Sequence, residues 1–146
     1  MSENNVELIR SVYPGPDTDI IALFNDDSAS GQLMQTMAPL LDPAFVSVKH
    51  LPGAEPEAAQ GLHALRAGWL DWLAPWASYR TEIEEMLDLG DRVVTVLCDY
   101  GRRGPDAPEV ALKSATVWTV SDGLIVRAEF YPGGRAEALA AIGLAG

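Results

Sequence analysis

Few side chains in this sequence have the chemistry to move a proton inside an apolar site, and they lie far apart in the chain. His50 closes the stretch Phe45-Val46-Ser47-Val48-Lys49-His50, which reads as a strand. An imidazole needs little perturbation to act as a base near neutral pH, so it suits abstraction of a proton next to a carbonyl. That reaction also needs a donor for the oxygen on which charge develops. Ser114 and Thr116 are placed for it by inward alternation along their strand. Asp99 stands near the end of a run apolar on both faces, where it can reach a cavity rim or hydrogen-bond a turn. Glu85 breaks the alternation after Ile83, either as an inward carboxylate or at a bulge that turns it outward, and the bulge is preferred. His63 sits beside Leu62 but off the apolar stripe of its helix, a solvent-side or capping position.

The elements that must hold these groups follow from periodicity. Val6, Leu8, Ile9 and Val12 predict a short helix ending before Pro14-Gly15-Pro16. Asp17 or Thr18 is expected to cap a second helix carrying Ile20, Ile21, Leu23 and Phe24. A polar turn over Asp26 to Gly31 precedes a helical stretch, Leu33 to Leu41, broken near Pro39. After the Phe45–His50 strand, Leu51 to Gln60, with Pro52, Gly53 and Pro56, reads as a loop. Leu62, Leu65, Trp69, Trp72, Leu73 and Trp76 then form one helical apolar stripe, expected to pack on a sheet and to suit the wall of a ligand cavity. Four strands follow: one begun by Tyr79, Thr81 and Ile83, then Val93–Tyr100, Val110–Val120 and Leu124–Tyr131. Gly90-Asp91 and the Gly101–Pro108 loop separate the first three, and Asp122-Gly123 marks the last hairpin. Arg135 to Ile142 closes the chain as a helix. The expected fold is one α+β domain over residues 1–146, a curved antiparallel sheet of five strands wrapped around helices on one face, with a pocket at its open end.

Composition narrows the function classes. A net charge of −11, from 21 acids and 10 bases, repels nucleic acid and anionic lipid, and Arg102-Arg103 is the one basic pair. Neither partner is therefore expected. With a single cysteine, Cys98, no intrachain disulfide or CxxC site can form. The opening MSENNVELIR lacks a basic n-region and an apolar run, and no run of 18 apolar residues occurs, so a cytoplasmic location is expected. No HExxH, no metal-spaced His/Cys/Asp cluster and no GxxxxGK[ST] is present, and neither metal nor cofactor is expected. The serines lack the context of a nucleophile elbow.

Several strings, in order, resemble the SnoaL-like branch of the nuclear transport factor 2-like superfamily: GLHALRAGWLDWL from Gly61, DRVVTVL from Asp91, ATVWTVSDGLIVRAEFY from Ala115 and RAEALAAIGL from Arg135. The resemblance implies a conical α+β barrel, paired through its sheets as a homodimer, around an apolar cavity for a small hydrophobic molecule. Trp69, Trp72, Trp118, Phe130, Ser114 and Thr116 would contact that molecule. Members isomerise steroids, close polyketide rings, hydrate epoxides or only bind. Related cyclases and epoxide hydrolases carry an inward carboxylate seven residues after the hairpin glycine, and here Phe130 stands there. Leu124, Val126, Ala128 and Phe130 are expected inward, with Arg127, Glu129 and Tyr131 outward. Where epoxide hydrolases need an arginine and an aspartate two apart, this chain reads Leu97-Cys98-Asp99, so both chemistries are disfavoured. The stretch Val48 to Pro56 resembles the ketosteroid isomerase segment that carries a proton-shuttling aspartate, and His50 falls at that place. By the same resemblance Tyr13 is a donor by position, and the second, acidic donor is replaced around Ala115. Three readings stay open: an acid–base enzyme on a carbonyl compound, a ligand-binding accessory protein, or a dimerisation module with a filled cone.

Overall fold

The computed structural model describes residues 2–51 and 53–144, apart from the side chains of Ser2 and Glu3; Pro52 lies outside them. Helix α1 (Ser2–Arg10) is followed by α2 (Ile20–Asn25) and α3 (Asp27–Met37). Asp19 caps α2 through its carboxylate, in place of Asp17 or Thr18, and also receives the Tyr79 amide at 3.1 Å. Asp26 caps α3, so the polar stretch expected to be a turn is the first part of a helix. The break at Pro39 takes the form of a 3-10 turn, Ala38–Leu40.

Six strands form one mixed sheet in the order β2-β1-β6-β5-β4-β3, where β1 is Leu41–Lys49, β2 Glu57–Gln60, β3 Ser78–Asp88, β4 Arg92–Arg102, β5 Val110–Ser121 and β6 Leu124–Tyr131. Two expectations change here. The stretch expected to be a loop contains β2, an exposed edge strand antiparallel to β1, and β1 runs parallel to β6. The parallel pair is possible because the connection from β1 to β6 is long: it holds β2, then α4 (Leu62–Leu73), which carries the chain from one edge of the sheet to the other, then β3 to β5. β2 and β3 remain edges, so the sheet is open and not a closed barrel. Asp122 and Gly123 both adopt positive φ, 52° and 77°, as a two-residue hairpin turn requires.

Alternation sorts the sheet into two faces. On the inner face Phe45, Val93, Trp118, Ile125 and Ala128 pack with Ile9, Met37 and Leu65 of the helices. On the outer face Val94, Val96, Ala115, Val117 and Tyr131 are covered by Ala138 and Leu139 of α5 (Arg135–Ala141). Helices therefore lie on both faces, not one. A register shift opposite Thr119-Val120 puts Ile125, in place of Leu124 or Val126, into the inner core. A second shift between Ile83 and Glu85 turns Glu85 outward, where it accepts from Arg135 at 2.8 Å. Gly101 lets Trp76 lie flat on β4, since an added Cβ would meet its ring at 2.6 Å.

Candidate functional site

The strands bend around α4 so that residues from β1, β2, β4, β5 and β6 face it across a cavity of about 410 Å³. Its apolar wall includes Leu65, Trp69 and Trp72 of α4 with Leu97 and Phe130 of the sheet. Trp69 meets Phe130 edge-to-face at 6.3 Å between ring centroids. Ser114 and Thr116 also line it, as their alternation on β5 predicted.

Asp99 is the most buried carboxylate on this wall, 5% exposed. In the ladder it stands opposite Thr81 on β3, whose hydroxyl donates to Oδ1 at 2.5 Å. The Tyr79 hydroxyl donates to Oδ2 at 2.6 Å, and the Trp72 indole donates to the Tyr79 hydroxyl at 2.8 Å. Burial pushes the Asp99 carboxyl above the usual range, and the Thr81 and Tyr79 hydrogen bonds offset part of that rise. Among the described residues no cation lies within ion-pairing distance of it. Burial, then the neighbouring carboxylate, pushes the Tyr79 phenol up, which keeps it a donor.

Tyr13 belongs to a second polar group. Its hydroxyl lies 2.6 Å from Thr95 Oγ1, and the Trp118 indole donates to both, at 3.1 and 3.2 Å. Burial raises its pKa to about 12. Tyr13 and Trp118 line a separate cavity of about 70 Å³, bounded also by Leu65 and Trp69, so neither reaches the larger one. Trp118 packs against Phe130 on its other side.

His50 is not among the residues lining the cavity. Phe45, Ser47 and Lys49 share the inner face, so the next residue points to the other side. There His50 stacks on Tyr131 at 4.4 Å and bonds Glu129 at 3.2 Å. Its amide also donates to Phe130 O, extending the parallel ladder. His63 is exposed.

Lys49 was missed as a candidate. It lines the cavity opposite Phe130 in the ladder, and its Nζ donates to Gly68 O of α4 at 3.0 Å. The signal was present in the alternation counted from Phe45, which puts Lys49 inside. Among the described residues no cluster of three His, Cys, Asp or Glu side chains could hold a metal ion. None of the described helices is long and apolar enough to cross a membrane.

A family model described as a SnoaL-like domain matches residues 20–128. Among solved structures, a candidate SnoaL-like polyketide cyclase from Jannaschia sp. CCS1 has a TM-score of 0.65 at 17% identity, over 88% of this chain and 85% of that one. TerC, co-crystallised with polyporic acid, has a TM-score of 0.64 at 17% identity, over 94% and 96%. A nuclear transport factor 2-like protein of unknown function from Mesorhizobium loti has a TM-score of 0.60 at 19% identity, over 92% and 93%. At such identities the likeness is one of fold. No curated protein matches the chain.

Proposed function

The chain belongs to the SnoaL-like domain family, and from that premise we propose that its larger cavity binds one small, mostly apolar carbonyl or hydroxyl compound and that Asp99 is its acid–base group. One observation carries the reading: a buried carboxyl with neutral partners alone stands on the wall of an apolar cavity. A raised pKa holds the proton nearer to physiological pH, where it can be lent to a ligand oxygen and recovered. Thr81 and Tyr79 fix the carboxyl, and Thr116 and Ser114 supply hydroxyls on the same wall. The volume suits a ligand of polyketide or steroid type. The co-crystal of TerC with polyporic acid supports a small-molecule occupant for this fold.

The test uses unsaturated ketones whose double bond can migrate, followed by absorbance. Asp99→Asn should lower kcat by about 10²–10⁴-fold while ligand binding changes little. If the parent acts on none of the panel yet binds its members, the protein is a binding cone. The dominance of apolar side chains in the lining favours that second reading. If the parent binds none of them, the cavity reading itself fails. The outer sheet face, where Arg127 is exposed and Thr119 half-buried, supports a symmetric homodimer. Tyr131 lies under α5 and His50, so it would not join that contact. A monomer mass by sedimentation across the micromolar range would exclude the pairing.

A further inference from the structure

Lys49 is a cation set into the wall of an apolar cavity. Its side chain leaves β1 on the same face as Ser47 and crosses to α4, where Nζ donates to the Gly68 carbonyl at 3.0 Å. That carbonyl is one acceptor for an ammonium that has three donors. Among the described residues no carboxylate lies within ion-pairing distance of it, although Glu57, Asp71 and Asp99 line the same cavity. Glu57 and Asp71 are exposed at the mouth, where water solvates them. Asp99 has both oxygens engaged by Thr81 and Tyr79.

The helix accommodates this placement. A Cβ on residue 68 would meet Lys49 Cε at 3.1 Å and Nζ at 3.3 Å, closer than ordinary contact. Glycine in the middle of a helix lowers helix stability, and here it lets an ammonium lie against the helix backbone at the cavity wall. Beside it the Trp69–Phe130 pair offers ring faces and edges for a flat apolar body. A half-buried cation with one neutral partner, next to such a wall, is the arrangement that recognises a single anionic oxygen on an apolar molecule.

We propose that the cavity selects a monoanionic ligand, a flat apolar molecule bearing one carboxylate, acidic phenol or acidic enol, and that Lys49 Nζ is its anchor. This rests on the reading that the cavity binds a small molecule, and it names the class. The chain's net charge of −11 disfavours polyanions such as nucleotides at long range, and one local cation offsets one ligand charge.

Two probes of matched shape test it: 2-naphthoate, an anion, and 2-acetylnaphthalene, a neutral ketone. Calorimetric titration of the parent should show 2-naphthoate binding roughly tenfold or more tightly than the ketone. Lys49→Met should weaken 2-naphthoate by about that factor and leave 2-acetylnaphthalene unchanged, and Lys49→Arg should restore much of the loss. The parent comparison requires no variant, so a misfolded Lys49→Met protein does not spoil it. A parent that prefers the ketone, or a folded Lys49→Met protein that binds 2-naphthoate as before, overturns the anchor and leaves the cavity reading standing. Binding of neither probe overturns both.

Discussion

The two faces of one sheet treat their ionisable groups in opposite ways. On the outer face charges meet charges: Lys113 with Glu84, Arg135 with Glu85, and Arg127 with Glu129, which also hydrogen-bonds His50. These groups are partly exposed, so water and the opposite charge share the work of solvating them. On the inner face Asp99 is buried and Tyr13 half-buried, and hydroxyls and indoles replace ions as their partners. The outer core is filled by α5, whereas the inner one leaves a cavity. Adjacent residues divide between the two faces, as Lys49 at the end of β1 and His50 just after it do. An acid held without a counter-charge has its proton affinity altered by burial, and that is the condition under which it can serve a ligand.

The largest expected difference between the faces is in packing. Trp118 is 4% exposed, with edge-to-face contacts to Tyr13 and Phe130 at 6.0 and 6.3 Å. Trp118→Ala should cost roughly 3–5 kcal/mol in urea unfolding, as deletion of a core aromatic does. Arg135→Ala on the outer face removes one exposed ion pair and should cost under about 1 kcal/mol. Equal costs would mean that the inner face is not the principal core.

Next in size is the pH dependence of stability, which the inner groups should dominate. An acid whose folded-state pKa is raised contributes stability that is complete below its unfolded pKa and lost as pH climbs through the folded one. For Asp99 that loss begins at about 3.8, its ordinary value. Asp99→Asn should therefore flatten the fall of stability with pH above that point. For Tyr13 the window runs from 10 to about 12, and Tyr13→Phe should reduce the alkaline loss there. Tyr131, also raised to about 12, retains a part of it. Urea midpoints across pH measure both. An unaltered slope in Asp99→Asn would show that the carboxyl is not perturbed in the folded protein.

The helices and most strands could be read directly, because the tryptophan stripe, the Val93–Tyr100 run and the Asp122-Gly123 turn are local signals. β2 could not, since Glu57–Gln60 is fully exposed and its strand conformation depends on pairing with β1. Nor could the β1–β6 parallel pair, a contact between residues about 80 positions apart. The cavity wall was legible where strict alternation held, at Ser114, Thr116 and Phe130. It failed at Val126, where the register shift reassigns the faces. Asp99 could be placed near the rim by sequence, but its hydroxyl partners come from β3, which only the folded ladder brings opposite. Which of Lys49 and His50 faces the cavity follows from alternation counted from Phe45, which puts Lys49 inside, and not from family position, which points to His50.

That assignment yields the smallest prediction. His50 contributes a parallel stack on Tyr131, with ring planes 3° apart, and a 3.2 Å contact to Glu129. Glu129 is also held by Arg127 at 3.2 Å and by the Tyr131 hydroxyl at 3.4 Å, so it retains partners when the imidazole is removed. Side chains of the pair are 22% and 19% exposed, which screens the charge component. His50→Ala should therefore cost about 1 kcal/mol, a shift of a few degrees in Tm. Affinity for 2-naphthoate and any turnover of the ketone panel should stay at parent values, because the side chain lies across the sheet from Asp99. Loss of turnover in His50→Ala, with binding and fold intact, would instead show the imidazole acting on the ligand, and the division between a charge-paired outer face and a working inner face would fail.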